Sequence, residues 1–281
     1  MVDVFGGRIG TTPGPMGPKG PPGARGPPGP AGSLRDLIEW MPRSAMHLLE
    51  KYDQTGSFFI ENTADLEVSK EKIVKKWKNR NQHGGGDLNQ VDEKGTKSLI
   101  QINESRFVLK FNDNKYSDFN LPIFNINDIG DSVYICISFK VDGDDDYILM
   151  TNRINDNVLS SNVDIWVNKN KIEIDVGGEK HMIEHNCAQW TVLFISFNLK
   201  SDCCKFKYSV NDVAGEFTVS GSLLPHDGLI LGGDNHDNYN FVGSIGGLFI
   251  HGINNGGEVP EEMKIEVMER LKVDESKHFG S

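Results

Sequence analysis

Residues 173 to 179, EIDVGGE, set Glu173 and Asp175 two apart, the spacing that places both carboxylates on one face of an extended strand. Paired carboxyls about 5 to 5.5 Å apart are the equipment of a retaining glycosidase. Glu179 would be a third acid, but it follows Gly177-Gly178, where the strand should end, and the period of two does not carry across a turn. The stretch therefore reads as a solvent-facing hairpin, and the chain reads as a non-enzyme. The histidines, among them His181, His185, His226, His236 and His251, are dispersed and lack zinc spacing.

Two other clusters carry enough charge for chemistry. Asp142, Asp144, Asp145 and Asp146 share one acidic stretch, and Asp234 and Asp237 lie in another, GGDNHDNYN. Calcium takes 6 to 8 oxygen ligands, so Asp142, Asp144, Asp146, Asp234 and Asp237 are calcium candidates if the two loops meet. The plainer reading is a solvated acidic turn, and no EF-hand register is present. SKEKIVKKWKNR, residues 69 to 80, reads as a short amphipathic helix with Ile73, Val74 and Trp77 on one side. Its Lys70, Lys72, Lys75, Lys76, Lys78 and Arg80 form a basic cluster in a chain of net charge −11. Heparin or phosphate binding is the sharp reading of that patch, and a solvated helix face the plain one. The overall negative charge argues against nucleic acid as a partner, and no apolar run is long enough to insert into a membrane.

What positions these residues begins with GPMGPKGPPGARGPPGPAG. Gly14, Gly17, Gly20, Gly23, Gly26, Gly29 and Gly32 fall at every third place. Pro15, Pro18, Pro21, Pro27 and Pro30 take the position after glycine, and Pro22 and Pro28 the one after that, as do Lys19 and Arg25. A strict Gly-X-Y period is the signature of a collagen triple helix, because only glycine fits at the shared axis. A flexible linker has no reason to keep that register. The helix implies a homotrimer. It is short, roughly 55 Å at ~3.1 Å per residue, so neighbouring structure should help hold the register. SLRDLIEWMPRSAMHLLEKYDQ follows, with Ser33 as N-cap and Pro42 dividing two helical faces. Leu34, Leu37, Ile38, Met41 and Leu48 are the residues expected to clamp three chains together.

Four cysteines give no clean disulfide framework. Cys136 sits in an apolar run and reads as a buried thiol. Cys203 and Cys204 are adjacent, so at most one of them easily bridges Cys187. The opening MVDVFGGRIG lacks the basic and apolar regions of a secretory signal. Asn103-Glu104-Ser105 is a glycosylation sequon of the kind that also arises by chance.

From residue 97 onward, apolar runs alternate with turns rich in Asn, Asp and Gly: SLIQIN, RFVLKF, SVYICISFKV, YILMTN, VDIWVN, KIEIDV, TVLFISFNL, KFKYSV, EFTVS, GLILGG and FVGSIGGLFIHG. Their alternation and spacing predict an antiparallel β-sandwich. VPEEMKIEVMERLKV then reads as an amphipathic helix with Pro260 in its first turn. SVYICISFKVDG, VDIWVNKNKIEIDVGG, WTVLFISF and the closing pair LILGGD and FVGSIGGLFIHG resemble the laminin-G-like, concanavalin-A-like jelly-roll family over residues 97 to 273. That resemblance implies a jelly-roll domain whose relatives include glycan and receptor binders, some calcium-dependent, and also glycoside hydrolases carrying a nucleophile, a helper aspartate and an acid on one strand. EIDVGGE departs from that last pattern at Glu179.

The expected organisation is an N-terminal tail at 1–13, a collagen-like triple helix at 14–33, a helical trimerisation segment at 34–56 and a linker with a short basic helix at 57–96. The jelly-roll domain follows at 97–273 and a C-terminal tail at 274–281. Three heads on one stalk raise avidity well above single-site affinity. Function is therefore expected in adhesion or attachment to glycans or surface receptors, in an extracellular matrix or lectin-like setting or on a virion or phage surface. A purely structural trimeric scaffold or capsid component is the alternative, and a jelly-roll glycoside hydrolase a remoter one. No cofactor besides calcium is implied.

Overall fold

The chain divides into two units, Met1–Pro42 and Arg43–Ser281, and every described residue belongs to the second. The computed structural model describes residues 58–60, 66–68, 74–77, 88–90, 97–103, 106–111, 119–121, 132–152, 163–198, 203–220, 229–233, 239–253, 258 and 260–273. The Gly-X-Y register from Gly14 to Gly32 and the clamp residues Leu34, Leu37, Ile38, Met41 and Leu48 lie outside them, as do Asp234 and Asp237.

Two antiparallel sheets are formed. Four short strands come first: β1 Phe58–Ile60, β2 Leu66–Val68, β3 Val74–Trp77 and β4 Leu88–Gln90. β5 Lys97–Asn103, β6 Arg106–Phe111, β7 Phe119–Leu121 and β8 Ser132–Val141 follow. Then come β9 Tyr147–Thr151, β10 Val163–Val167, β11 Lys171–Val176 and β12 Glu179–Glu184. The last strands are β13 Thr191–Asn198, β14 Cys203–Val210, β15 Val213–Ser220, β16 Leu229–Leu231 and β17 Gly243–Ile253, and a helix, α1 Glu261–Leu271, closes the described chain. The first sheet runs β15-β14-β13-β8-β17-β6-β5, with β1 also paired to β17, and the second runs β12-β11-β10-β9-β16-β7-β4-β3-β2.

This is the mainly-β, antiparallel sandwich that the alternating runs predict. Period-two alternation sends Ile135, Ile137 and Phe139 of β8, Leu193, Ile195 and Phe197 of β13, and Ile172, Ile174 and Val176 of β11 into one core between the sheets. β8 and β13 are apolar on both faces for a separate reason. Tyr134, Cys136, Val192, Phe194 and Phe249 point outward from the first sheet and are covered by Met263, Val267 and Leu271 of α1. Those three helix residues recur at i, i+4 and i+8, a single stripe, and are 2%, 0% and 0% exposed. Pro260 stands just before the helix, and its carbonyl accepts from the Met263 amide at 2.9 Å.

Two expectations are corrected. Residues 74–77 are a strand, so the basic helix over 69–80 does not form there. Val74 and Trp77 are β-formers, and the ladder gives them partners a lone helix would lack: Val74 opposite Val68, and Trp77 opposite Leu66 and Leu88. Glu67 stands opposite Lys76. The stripe read from Lys72, Lys75, Lys76, Lys78 and Arg80 as one helix face therefore lacks, at 74–77, the helix that would align it. Lys72, Lys78 and Arg80 are outside the described residues. The sandwich also begins before residue 97, because β1 joins the first sheet and β2, β3 and β4 the second.

Cys136, Cys187 and Cys204 are buried thiols outside any disulfide. Burial raises the pKa of Cys136 well above the ordinary thiol value and pushes Cys187 up to about 12. Neither Cys136 nor Cys187 is a poised nucleophile. His185, just past β12, has its Nε2 3.1 Å from Thr191 Oγ1, and partial burial lowers its pKa. The folded state thus favours the neutral ring, while the unfolded chain binds a proton near pH 6.5. This contribution to stability is present above about pH 6.5 and is lost as pH falls toward the lower folded pKa. His185→Gln should flatten the fall in melting temperature between pH 7 and 5; an unchanged slope would remove His185 as its source.

Candidate functional site

Each acidic residue read as a calcium ligand and lying within the described structure has a basic or amide partner. Asp142 is ion-paired with Lys110, and Asp144 with Lys169 at 2.6 Å. Asp146 accepts from Asn168 Nδ2 at 2.6 Å and faces Lys171 at 3.6 Å. The hydrogen bond that Lys169 donates to Asp144 raises the pKa of Lys169. The acidic turn does adjoin the end of the second loop, since the Asp142 amide donates to Val242 and the Ile148 amide to Tyr239, at 3.0 and 2.9 Å. Among the described residues, no group of three or more His, Cys, Asp or Glu is arranged to hold a metal ion.

Glu173 and Asp175 share the outer face of β11, as their spacing implies. Asp164 of β10 is directly opposite Asp175, so three carboxylates line one patch. Each is occupied. Glu173 binds Lys180 Nζ at 2.5 Å and faces Lys171 at 3.5 Å. Asp175 accepts from the Gly178 amide at 2.9 Å and faces Lys180 at 3.8 Å. Asp164 accepts from the Thr151 hydroxyl and is 1% exposed. Glu179 opens β12, opposite Val176, beyond the Gly177-Gly178 turn. The group is an ion-pair network across a hairpin, with buried floor residues where a hydrolase would need open space.

The open space is on the other sheet. α1 covers only part of the outer face of the first sheet, and β8, β13 and β14 run past the helix at its N-terminal end. The step between helix and bare sheet is a cleft of about 230 Å³ lined by Ser132, Tyr134, Phe194, Ser196, Asn198, Lys205, Lys207, Glu258, Glu261 and Lys264, among others. Behind the lining the Tyr134 and Phe194 rings, buried under α1, lie 6.1 Å apart at 47°. Lys264 Nζ sits 5.7 Å from the centre of the Phe194 ring and 3.3 Å from Glu261. Its open side is charged. Lys205 pairs with Glu216 at 2.8 Å, and Lys207 pairs with Glu258 across 51 residues of sequence. The Lys207 hydrogen bond holds the Glu258 carboxyl below its ordinary range.

Fixed ammonium and carboxylate groups beside hydroxyl and amide side chains are what a small polar ligand such as a sugar requires. The alternation Lys205-Phe206-Lys207 is a sequence signal for the two lysines, since it turns both outward. Nothing in the sequence places Glu258 and α1 beside them.

The fold and the cleft together define a β-sandwich of jelly-roll class with a half-open site on a helix-capped sheet. No family model matches the sequence, and no curated protein matches it. Solved structures do. The binding domain of botulinum neurotoxin serotype D/C superposes with a TM-score of 0.50 at 11% identity, over 76% of this chain and 52% of that one. The CBM40 module of the Ruminococcus gnavus IT-sialidase, solved with α2,3-sialyllactose, gives a TM-score of 0.37 at 13% identity, over 49% of this chain and 83% of that one. The chain thus spans about half of the toxin domain chain it resembles, and the likeness is one of fold.

Proposed function

We propose that this protein is a non-enzymatic homotrimeric attachment protein in which a collagen-like stalk presents three sandwich heads, each binding a glycan in the cleft beside α1. The observation that carries the reading is that cleft: Lys205, Lys207, Lys264, Glu258 and Glu261 grouped around Ser196 and Asn198. Its volume is below the roughly 300 to 1,000 Å³ typical of drug-sized sites, which suits one terminal sugar rather than an extended chain. Weak single-site binding then becomes useful only through three linked heads, and the Gly14–Gly32 register supplies a physical means of linking them. The carboxylates of the second sheet, each engaged in a local hydrogen bond or ion pair, favour binding over hydrolysis. Such a protein works outside a cell or on a virion, where repeated glycans and receptors are displayed.

The test is light scattering on the purified full chain, followed by a glycan array. A mass of three subunits and glycan binding that is lost in Lys264→Ala support the reading. A single-subunit mass overturns the trimer. A trimer silent across the array, with and without calcium, makes the protein a scaffold.

A further inference from the structure

We infer that the cleft beside α1 selects saccharides bearing a carboxylate, and that Glu258 is a resident carboxylate which such a ligand displaces from Lys207; the inference rests on the glycan-binding reading above. Lys205 and Lys207 stand two apart on β14 and project from the same face to the mouth of the cleft. Lys205 has Glu216 as its diagonal neighbour on the adjacent strand, 2.8 Å away. Lys207 is different. In the register it lies opposite Glu216, yet its ion pair is with Glu258, which belongs to neither strand. A carboxylate from elsewhere in the chain therefore already occupies this ammonium, so the seat accepts a carboxylate.

The seat is easily vacated. The Glu258 and Lys207 side chains are 78% and 46% exposed. Exposed ion pairs of this kind contribute little, so a ligand carboxylate exchanging with Glu258 gives up almost nothing. What it adds is the rest of the cleft. A sugar ring carried by that carboxylate lies against Ser196, Asn198 and Lys264 of the cleft lining. Glu258 offers none of these contacts. A neutral sugar uses the same wall but leaves Lys207 to Glu258, so it gains nothing from the cation.

Matched oligosaccharides ending in β-glucuronic acid or β-glucose, offered to the full-length trimer on one array and by titration, test this directly. The acidic member should bind more tightly to the native protein. Glu258→Gln should tighten the glucuronide about three- to five-fold and leave the glucoside unchanged, the size expected for removing an exposed competing charge. Lys207→Gln should weaken the glucuronide by a similar factor without moving the glucoside. Both positions are surface-exposed, and unchanged melting temperatures will show that the variants fold. Equal binding of the two saccharides, indifferent to Glu258→Gln, overturns the inference and leaves glycan binding standing. Failure of either to bind native or variant protein, with no other glycan bound, overturns both.

Discussion

Phe206→Ala is expected to lower the unfolding free energy by about 4 kcal/mol, within the range for emptying a buried phenylalanine site. Phe206 is 0% exposed. Its ring stacks on Phe197 at 5.0 Å and on Phe217 at 4.9 Å, and Phe217 in turn stacks on His181 at 4.2 Å and 9°. The stack starts on β13 of the first sheet and ends on β12, the edge strand of the second. It links β13, β14 and β15 of the first sheet to the edge of the second. Truncation removes the middle ring, so it forfeits burial and two ring contacts together. Phe206→Leu should cost much less, because most of the volume remains. Urea titrations of the three proteins will show the difference as a shift in midpoint. A loss below about 1 kcal/mol for the alanine variant would mean that these rings do not form a single packed column.

Gly232→Ala should cost about 3 kcal/mol, through two separable effects. Gly232 has φ +89°, a conformation that L-residues avoid, and a Cβ built there would lie 2.4 Å from the Phe111 ring. Phe111 is itself 0% exposed and packs edge-to-face on Phe241 at 5.6 Å, so it has no free direction in which to yield. The backbone is pinned as well: the Gly232 amide donates to Leu149 at 2.8 Å and its carbonyl accepts from Phe241 at 2.9 Å. Gly178 supplies the control. It has φ +93° but nothing within 4 Å of the added methyl, so Gly178→Ala should show the backbone strain alone, about 1 to 2 kcal/mol. Equal losses at the two glycines would refute the steric part of this account.

The sandwich was readable because its strands are long and their alternation is regular. SVYICISFKV matches β8 residue for residue, and KIEIDV matches β11. β12 was hidden, since EKHMIE has only Ile183 fully buried and a charged outer face, as an edge strand needs. β3 was misread because four residues cannot show a period, and its strand state depends on partners at 66–68 and 88–90. The carboxylate pair of β11 was visible in the sequence. Its lysine partners were less so, since Lys180 reaches Glu173 only once the hairpin closes. The cleft was the least legible feature. Its cations can be read from β14, but its other wall arrives on α1, more than fifty residues later.

The pairing of β1 with β17 has a consequence for how the protein is made. Residues 58–60 stand opposite 248–250, and β17 also lies along the whole of β8. A strand so near the far end of the chain is thus a central member of its sheet. While the chain is still on the ribosome, β8 has no neighbour on that flank and Tyr134 and Phe194 have no helix over them. Closure of the first sheet therefore waits for β17, a long-range contact of the kind that forms slowly.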